Sequence, residues 1–166
     1  VKPPLRAAED RLAVIDGLVD GTIDVVASDH CPQAQDSTLL PFAQAEFGAV
    51  GLETLLPVSL SLVHEGKLSL LDLLGKLTYT PAELLGLDAG RLFKGAPADV
   101  VLFDPDCPRR LRTEDLISLS KNTPFEGCLV QGKVVRTIVD GRTIFDIGGQ
   151  AFDSRHDHRP LNTSSQ

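Results

Sequence analysis

Ile23-Asp24-Val25-Val26-Ala27-Ser28-Asp29-His30 is a short β-branched run that passes directly into a polar cluster. Such a run reads as a buried parallel strand with chemistry at its carboxyl end, the position at which α/β barrels keep their active sites. Before it, Ala7 to Leu18 reads as an amphipathic helix, with Leu12, Ile15, Leu18 and Val19 at helical spacing and Gly21 as its stop. Pro3-Pro4-Leu5-Arg6 makes the entry to that helix extended. After the strand, Cys31 to Gly48 has no clear period and contains Pro32, Pro41 and two phenylalanines, so it reads as a long loop.

Downstream, Leu52, Leu55, Leu56, Leu60 and Val63 mark a helix that ends near Gly66 and is kinked by Pro57. Ser69 is placed to cap a helix over Leu70 to Leu77. Thr80-Pro81-Ala82-Glu83 sets a cap, a proline at the first helical position and a glutamate at the third, ahead of Leu84-Leu85 and the terminating Gly86. Beyond Gly95 the texture turns to β. Ala98 to Phe103 predicts a strand ending at Asp104-Pro105, and Lys133 to Val139 with Thr143 to Phe145 predict a hairpin about Asp140-Gly141. From Gly148 the tail is polar.

The order is helix, strand, loop, three helices and a small antiparallel sheet, with one parallel strand in the first part. A strand buried on both faces needs parallel neighbours, so the expectation is a piece of something longer, which the resemblance described below makes the last stave of a barrel and part of an attached β domain. The absence of Met and the opening at Val1 leave a processed start or such a piece as the two readings. An open barrel edge exposes unpaired backbone, which predicts poor solubility or pairing with another chain, a homo-oligomer included.

Composition limits the function classes. The 166 residues are one domain's worth of chain, and 42% hydrophobic content is enough for a core. A net charge of −7 with no run of Lys or Arg offers no footprint for nucleic acid. No apolar run reaches membrane-spanning length, and there is no signal-peptide layout. Cys31, Cys107 and Cys128 are odd in number and lack zinc-knuckle spacing, so a cytoplasmic location fits best.

Ser28-Asp29-His30-Cys31-Pro32-Gln33 resembles the Asp-His-Ala-Pro-His signature of the dihydroorotases, in the metal-dependent amidohydrolase superfamily. Pro3-Pro4-Leu5-Arg6 resembles that family's Asn-Pro-Pro-Leu-Arg, and Glu46-Phe47-Gly48-Ala49-Val50-Gly51-Leu52-Glu53-Thr54 its Pro-Phe-Gly-x-x-Gly-Leu-Glu-Thr. Thr80 to Leu87, Gly95-Ala96-Pro97-Ala98-Asp99-Val100-Val101 and Ser120-Lys121-Asn122-Thr123-Pro124-Phe125 complete six motifs in family order over residues 2 to 145.

The resemblance implies an α/β fold: the carboxy-terminal part of a metal-dependent hydrolase (β/α)8 barrel, plus part of a small β-sandwich domain. Residues 1–90 would be the last barrel staves and following helices, 91–147 the sandwich part and 148–166 a polar tail. The implied reaction is the interconversion of N-carbamoyl-L-aspartate and dihydroorotate in pyrimidine synthesis, with one or two zinc ions activating water and polarising the ring carbonyl. By the motif match Asp29 is the proton-shuttling carboxylate and a zinc ligand, with most other ligands expected outside this chain, which alone would be inactive. Lys2, Gln33, Phe47 and Gly48 fall on substrate-binding positions.

Each residue also has a plainer reading. Asp29 can cap the next turn through backbone N–H groups, and Gly48 can simply turn the loop into the helix. His30 points to the face opposite Asp29 and reads as a structural histidine. His64 reads as a surface residue, and Asp24, Glu53 and Asp99 as strand-end or cap residues. Cys31 reads as a small filler, and His156 and His158 lack a strand to hold both imidazoles. Two departures from the family stand out: Gln33 replaces the second histidine of the signature, and Lys2 the asparagine. They leave a second reading, a non-catalytic dihydroorotase-like scaffold that binds aspartate transcarbamoylase, and behind it a related allantoinase or dihydropyrimidinase.

Overall fold

The computed structural model describes Pro4 and residues 6–148. The expectations for Lys2, for most of the Pro-Pro-Leu-Arg entry and for the tail with His156 and His158 fall outside the described residues.

Helix α1 spans Ala8–Asp20 and stops at Gly21. Its first turn is closed by the Asp10 carboxylate, which accepts the Ala7 N–H at 3.2 Å. Ile15 and Leu18 are buried against Leu62, with Ile23, Val26 and Leu68 packed around them, whereas Leu12 and Val19 are half exposed. The apolar stripe is therefore narrower than its spacing implied.

The segment predicted as a buried strand, residues 23–27, forms no ladder among the described residues. Ile23 N–H donates to the Gly17 carbonyl at 2.8 Å and Val26 N–H to the Lys76 carbonyl at 3.1 Å, while the Lys76 ammonium donates to the Ile23 carbonyl at 2.7 Å. A single parallel bridge, His30 to Ala49, is the vestige of sheet pairing. The physical reason is that a parallel strand exists only through its neighbours, and among the described residues Ala49 alone supplies one.

The long loop contains a one-turn helix α2, Gln35–Thr38, closed by Ser37 Oγ donating to the Ala34 carbonyl at 2.8 Å. The helix expected over residues 52–66 is two short pieces, α3 (Leu55–Ser59) and α4 (Ser61–His64). The break falls at Leu60 rather than at Pro57, because Pro57 lies in the first turn, where its missing N–H is tolerated. Helix α5, Leu70–Leu77, starts where expected: Ser69 Oγ accepts the Asp72 N–H at 3.1 Å and donates to the Asp72 carboxylate at 2.6 Å. Helix α6, Tyr79–Leu84, begins earlier than predicted. Thr78, not Thr80, is its flanking residue, and Pro81 is its third residue rather than its first.

The sheet is antiparallel in the order β1 (Val100–Arg110), β2 (Leu129–Val139), β3 (Arg142–Asp146). Strand β1 runs past the predicted stop at Asp104-Pro105, because a register irregularity between Asp104 and Pro108 absorbs the proline and pairing with β2 resumes. The hairpin turns at Asp140-Gly141 with both residues at positive φ, 49° and 74°, as a tight turn of this type requires. Asp99 locks it by accepting the Asp140 N–H at 2.7 Å.

Strand β2 lies against α3 at Gly132, where a Cβ would stand 2.5 Å from Leu60 Cδ1. Leu60 is fully buried, as are Leu73 and nearly Leu111, and the contact of Leu60 with Gly132 joins the end of α3 to the sheet. No helix among the described residues is long and apolar enough to cross a membrane.

Candidate active site

Two chain segments that lie side by side line a cavity of about 530 Å³. The lining comes from Val26 to Asp29 and Cys31, from the adjacent run Phe47 to Gly51, from α3 and from Pro124-Phe125. Asp29 is the carboxylate of this lining. It is exposed and takes a positive φ of 44°, a conformation that non-glycine residues adopt sparingly and that aspartate tolerates better than most.

The second loop is held to the first by a series of bonds. Cys31 N–H donates to the Ala49 carbonyl at 2.9 Å, and Gln33 Nε2 donates to the Phe47 carbonyl at 2.9 Å. His30 Nδ1 accepts the Gly51 N–H at 3.0 Å and the Leu52 N–H at 3.4 Å. That role is structural, as its position beside Asp29 implied. Gly48 takes φ 143° and packs so closely that a Cβ would lie 2.3 Å from the Cys31 carbonyl oxygen. Only glycine permits that approach.

Of the residues expected at the site, Asp29, Phe47 and Gly48 line the cavity together. Gln33 is not in the lining, and its amide is spent on Phe47 and, at 3.3 Å, on Cys31 Sγ. Lys2 lies outside the described residues. Cys31, read as a filler, is a wall residue with an exposed free thiol. His64 stands apart, with Nε2 3.5 Å from an Asp106 carboxylate oxygen.

Sequence reasoning missed what the Lys121–Phe125 stretch does. Pro124 and Phe125 are wall residues. Lys121 donates to the Leu116 carbonyl at 2.6 Å, and Asn122 bonds both loops. Glu53 is not a cap either, since its carboxylate accepts the Ile117 and Ser118 N–H groups at 2.9 and 3.0 Å. The motif had placed both residues in order along the chain, but neither contact has a local sequence signal.

The arrangement offers one carboxylate able to take up and return a proton, above an otherwise largely apolar floor. As a metal site it is incomplete. Asp29 is one oxygen donor, and among the described residues no three His, Cys, Asp or Glu side chains stand together so as to hold an ion.

The amidohydrolase family profile matches residues 1–144. This chain belongs to the amidohydrolase family. It is 49% identical over 145 residues to a dihydroorotase of Wolbachia sp. subsp. Drosophila simulans (strain wRi), covering 87% of this chain and 33% of that protein. A dihydroorotase of Anaplasma phagocytophilum (strain HZ) is 50% identical over the same length, covering 87% and 32%.

Among solved structures, the L-hydantoinase (dihydropyrimidinase) of Arthrobacter aurescens superposes with a TM-score of 0.82 at 34% identity, covering 88% of this chain and 34% of that one. The D-hydantoinase (dihydropyrimidinase) of Thermus sp. gives 0.83 at 26% identity, covering 90% and 34%. The amidohydrolase chain thus spans about a third of the length of the relatives it matches. Its fold is mixed α/β, a part of the (β/α)8 barrel hydrolase fold with a small antiparallel sheet.

Proposed function

We propose that this amidohydrolase chain is the dihydroorotase portion that carries the proton-shuttling carboxylate, Asp29. The observation behind the reading is the Asp29 carboxylate on the cavity wall in a chain about half identical to dihydroorotases. In the hydrolytic direction, water oxygen bonds to the ring carbonyl carbon and the carbon–nitrogen bond breaks. Asp29 takes the proton from the water and delivers it to the departing nitrogen, so that the carboxylate is regenerated. Val58, Leu55 and Phe125 give the ring an apolar surface to lie against.

Phe47 and Gly48 are the loop that meets the substrate, Gln33 holds that loop through its amide, and Lys2 is the cationic partner for an anionic substrate. Zinc is the metal this reading entails for the intact protein, with Asp29 as one ligand and the others outside the described residues. Residues 1–90 then belong to the barrel staves, 91–147 to a composite β-sandwich and 148–166 to a tail, in a cytoplasmic enzyme. The consistent naming of relatives at 46–50% identity as dihydroorotases favours this reading over a scaffold for aspartate transcarbamoylase.

The test is dihydroorotate hydrolysis and zinc content of the intact protein, with Asp29→Ala as the comparison. Stoichiometric zinc and turnover that disappears in the variant support the enzyme. A folded protein with neither leaves the scaffold as the better reading.

A further inference from the structure

Asn122 lies far along the chain from both cavity loops, yet it bonds to each of them. Its Oδ1 accepts the Gln33 N–H at 3.3 Å, its Nδ2 donates to the Gly48 carbonyl at 3.0 Å, and its own carbonyl accepts the Val50 N–H at 2.8 Å. The side chain is half-buried, and the next residues but one, Pro124 and Phe125, line the cavity themselves. An asparagine amide is the group for this task, because it donates and accepts at once in one plane.

We propose that Asn122 is the positioning residue of the substrate loop: it sets the height of Gly48 over the cavity and so the fit of a cyclic amide substrate against Asp29. This rests on the function proposed above and adds a residue that never touches the reacting atoms. The backbone bond to Val50 survives any substitution, so the side chain acts on Gln33 and Gly48 alone. Gln33 in turn carries the Phe47 carbonyl, and the whole Phe47–Val50 edge therefore follows the Asn122 amide. Removing that amide leaves the loop attached but free to shift by fractions of an ångström, which weakens substrate fit while the carboxylate stays in place.

The experiment measures KM and kcat for dihydroorotate on the intact protein with Asn122→Ala and Asn122→Asp. It adds amide hydrogen exchange at Gln33 and Val50. Losing two side-chain hydrogen bonds predicts a KM raised about tenfold with kcat held within about threefold in Asn122→Ala. Asn122→Asp keeps the acceptor for Gln33 but turns a carboxylate oxygen toward the Gly48 carbonyl, so it raises KM at least as much while Gln33 stays protected. Val50 keeps its protection in both.

An unchanged KM overturns the assignment, as does a parallel fall in activity and folded fraction, which would mark Asn122 as a support of the fold. Loss of folded protein in both variants overturns it for the same reason. A wild-type protein that does not turn over dihydroorotate overturns the functional reading and this one with it, whereas wild-type turnover with insensitive variants overturns this one alone.

Discussion

The carboxylate of Glu53, beside the start of α3, accepts the backbone N–H of Ser118 at 3.0 Å across 65 positions of chain. Its other oxygen takes the N–H of Ile117 at 2.9 Å. One side chain thereby satisfies two successive loop donors with an ionised acceptor, the stronger kind of hydrogen bond. The loop it holds leads through Lys121 into Asn122 and the cavity wall, so these bonds tie the entry to α3 to that wall.

Glu53→Ala should accordingly cost about 2 kcal/mol of stability, the scale expected when charge-assisted bonds are lost at a partly buried position. Urea unfolding followed by circular dichroism checks it. A midpoint within error of wild type would show that water replaces the carboxylate without penalty.

Gly132→Ala should cost about 3 kcal/mol. The new Cβ would stand 2.5 Å from Leu60 Cδ1, and φ is 115°, where side chains are strained. Because Leu60 is fully buried it has nowhere to retreat. Adding Leu60→Ala removes the clash but not the strain, so the double variant should be more stable than the sum of the single costs predicts, a coupling that a double-mutant cycle of unfolding free energies reads directly.

The hairpin end carries a pH dependence. The Gly148 N–H, and then the Arg136 guanidinium, hold the Asp146 carboxyl below its ordinary value of 3.8. A folded-state value below the unfolded one means the group stabilises the fold above pH 3.8 and loses that contribution as the pH falls through the lower, folded value. Thermal midpoints of Asp146→Asn should lie below wild type at neutral pH and converge on it in acid. The carboxylate is partly exposed and its Arg136 partner about half exposed, so the gap at neutral pH should be small and should shrink further in salt. A gap that persists unchanged below the folded value would assign the effect to something other than the charge.

Asp29→Gly separates stability from activity. Relief of the positive φ at this position should leave the unfolding free energy equal to wild type or higher by about 1 kcal/mol, while under the proposed function dihydroorotate turnover by the intact protein falls to background. A clear loss of stability instead would mean that the carboxylate, not the backbone, is what the fold needs there.

Much of the local architecture was legible along the chain. Ser69 capped its helix because the cap and its Asp72 partner lie within one turn, and Asp140-Gly141 made its turn because the two residues dictate φ by themselves. The ordered motifs similarly led to Asp29, Phe47 and Gly48, which do share a cavity. Where the reading failed, the cause was non-local. Residues 23–27 have the composition of a strand, but pairing is a property of two segments, and here the partner is reduced to Ala49.

The chain by itself therefore determined the Ser69 cap, its turn, its antiparallel hairpin and its family, since each depends on residues that are neighbours in sequence or on a motif order. Only the tertiary structure decided that Gln33 faces the loop rather than the cavity, that Glu53 and Asn122 tie remote loops, and that Gly132 must be bare beneath Leu60. Hydrogen bonds and close packing act over a few ångströms in space, and the chain brings these groups within that distance only after it has folded.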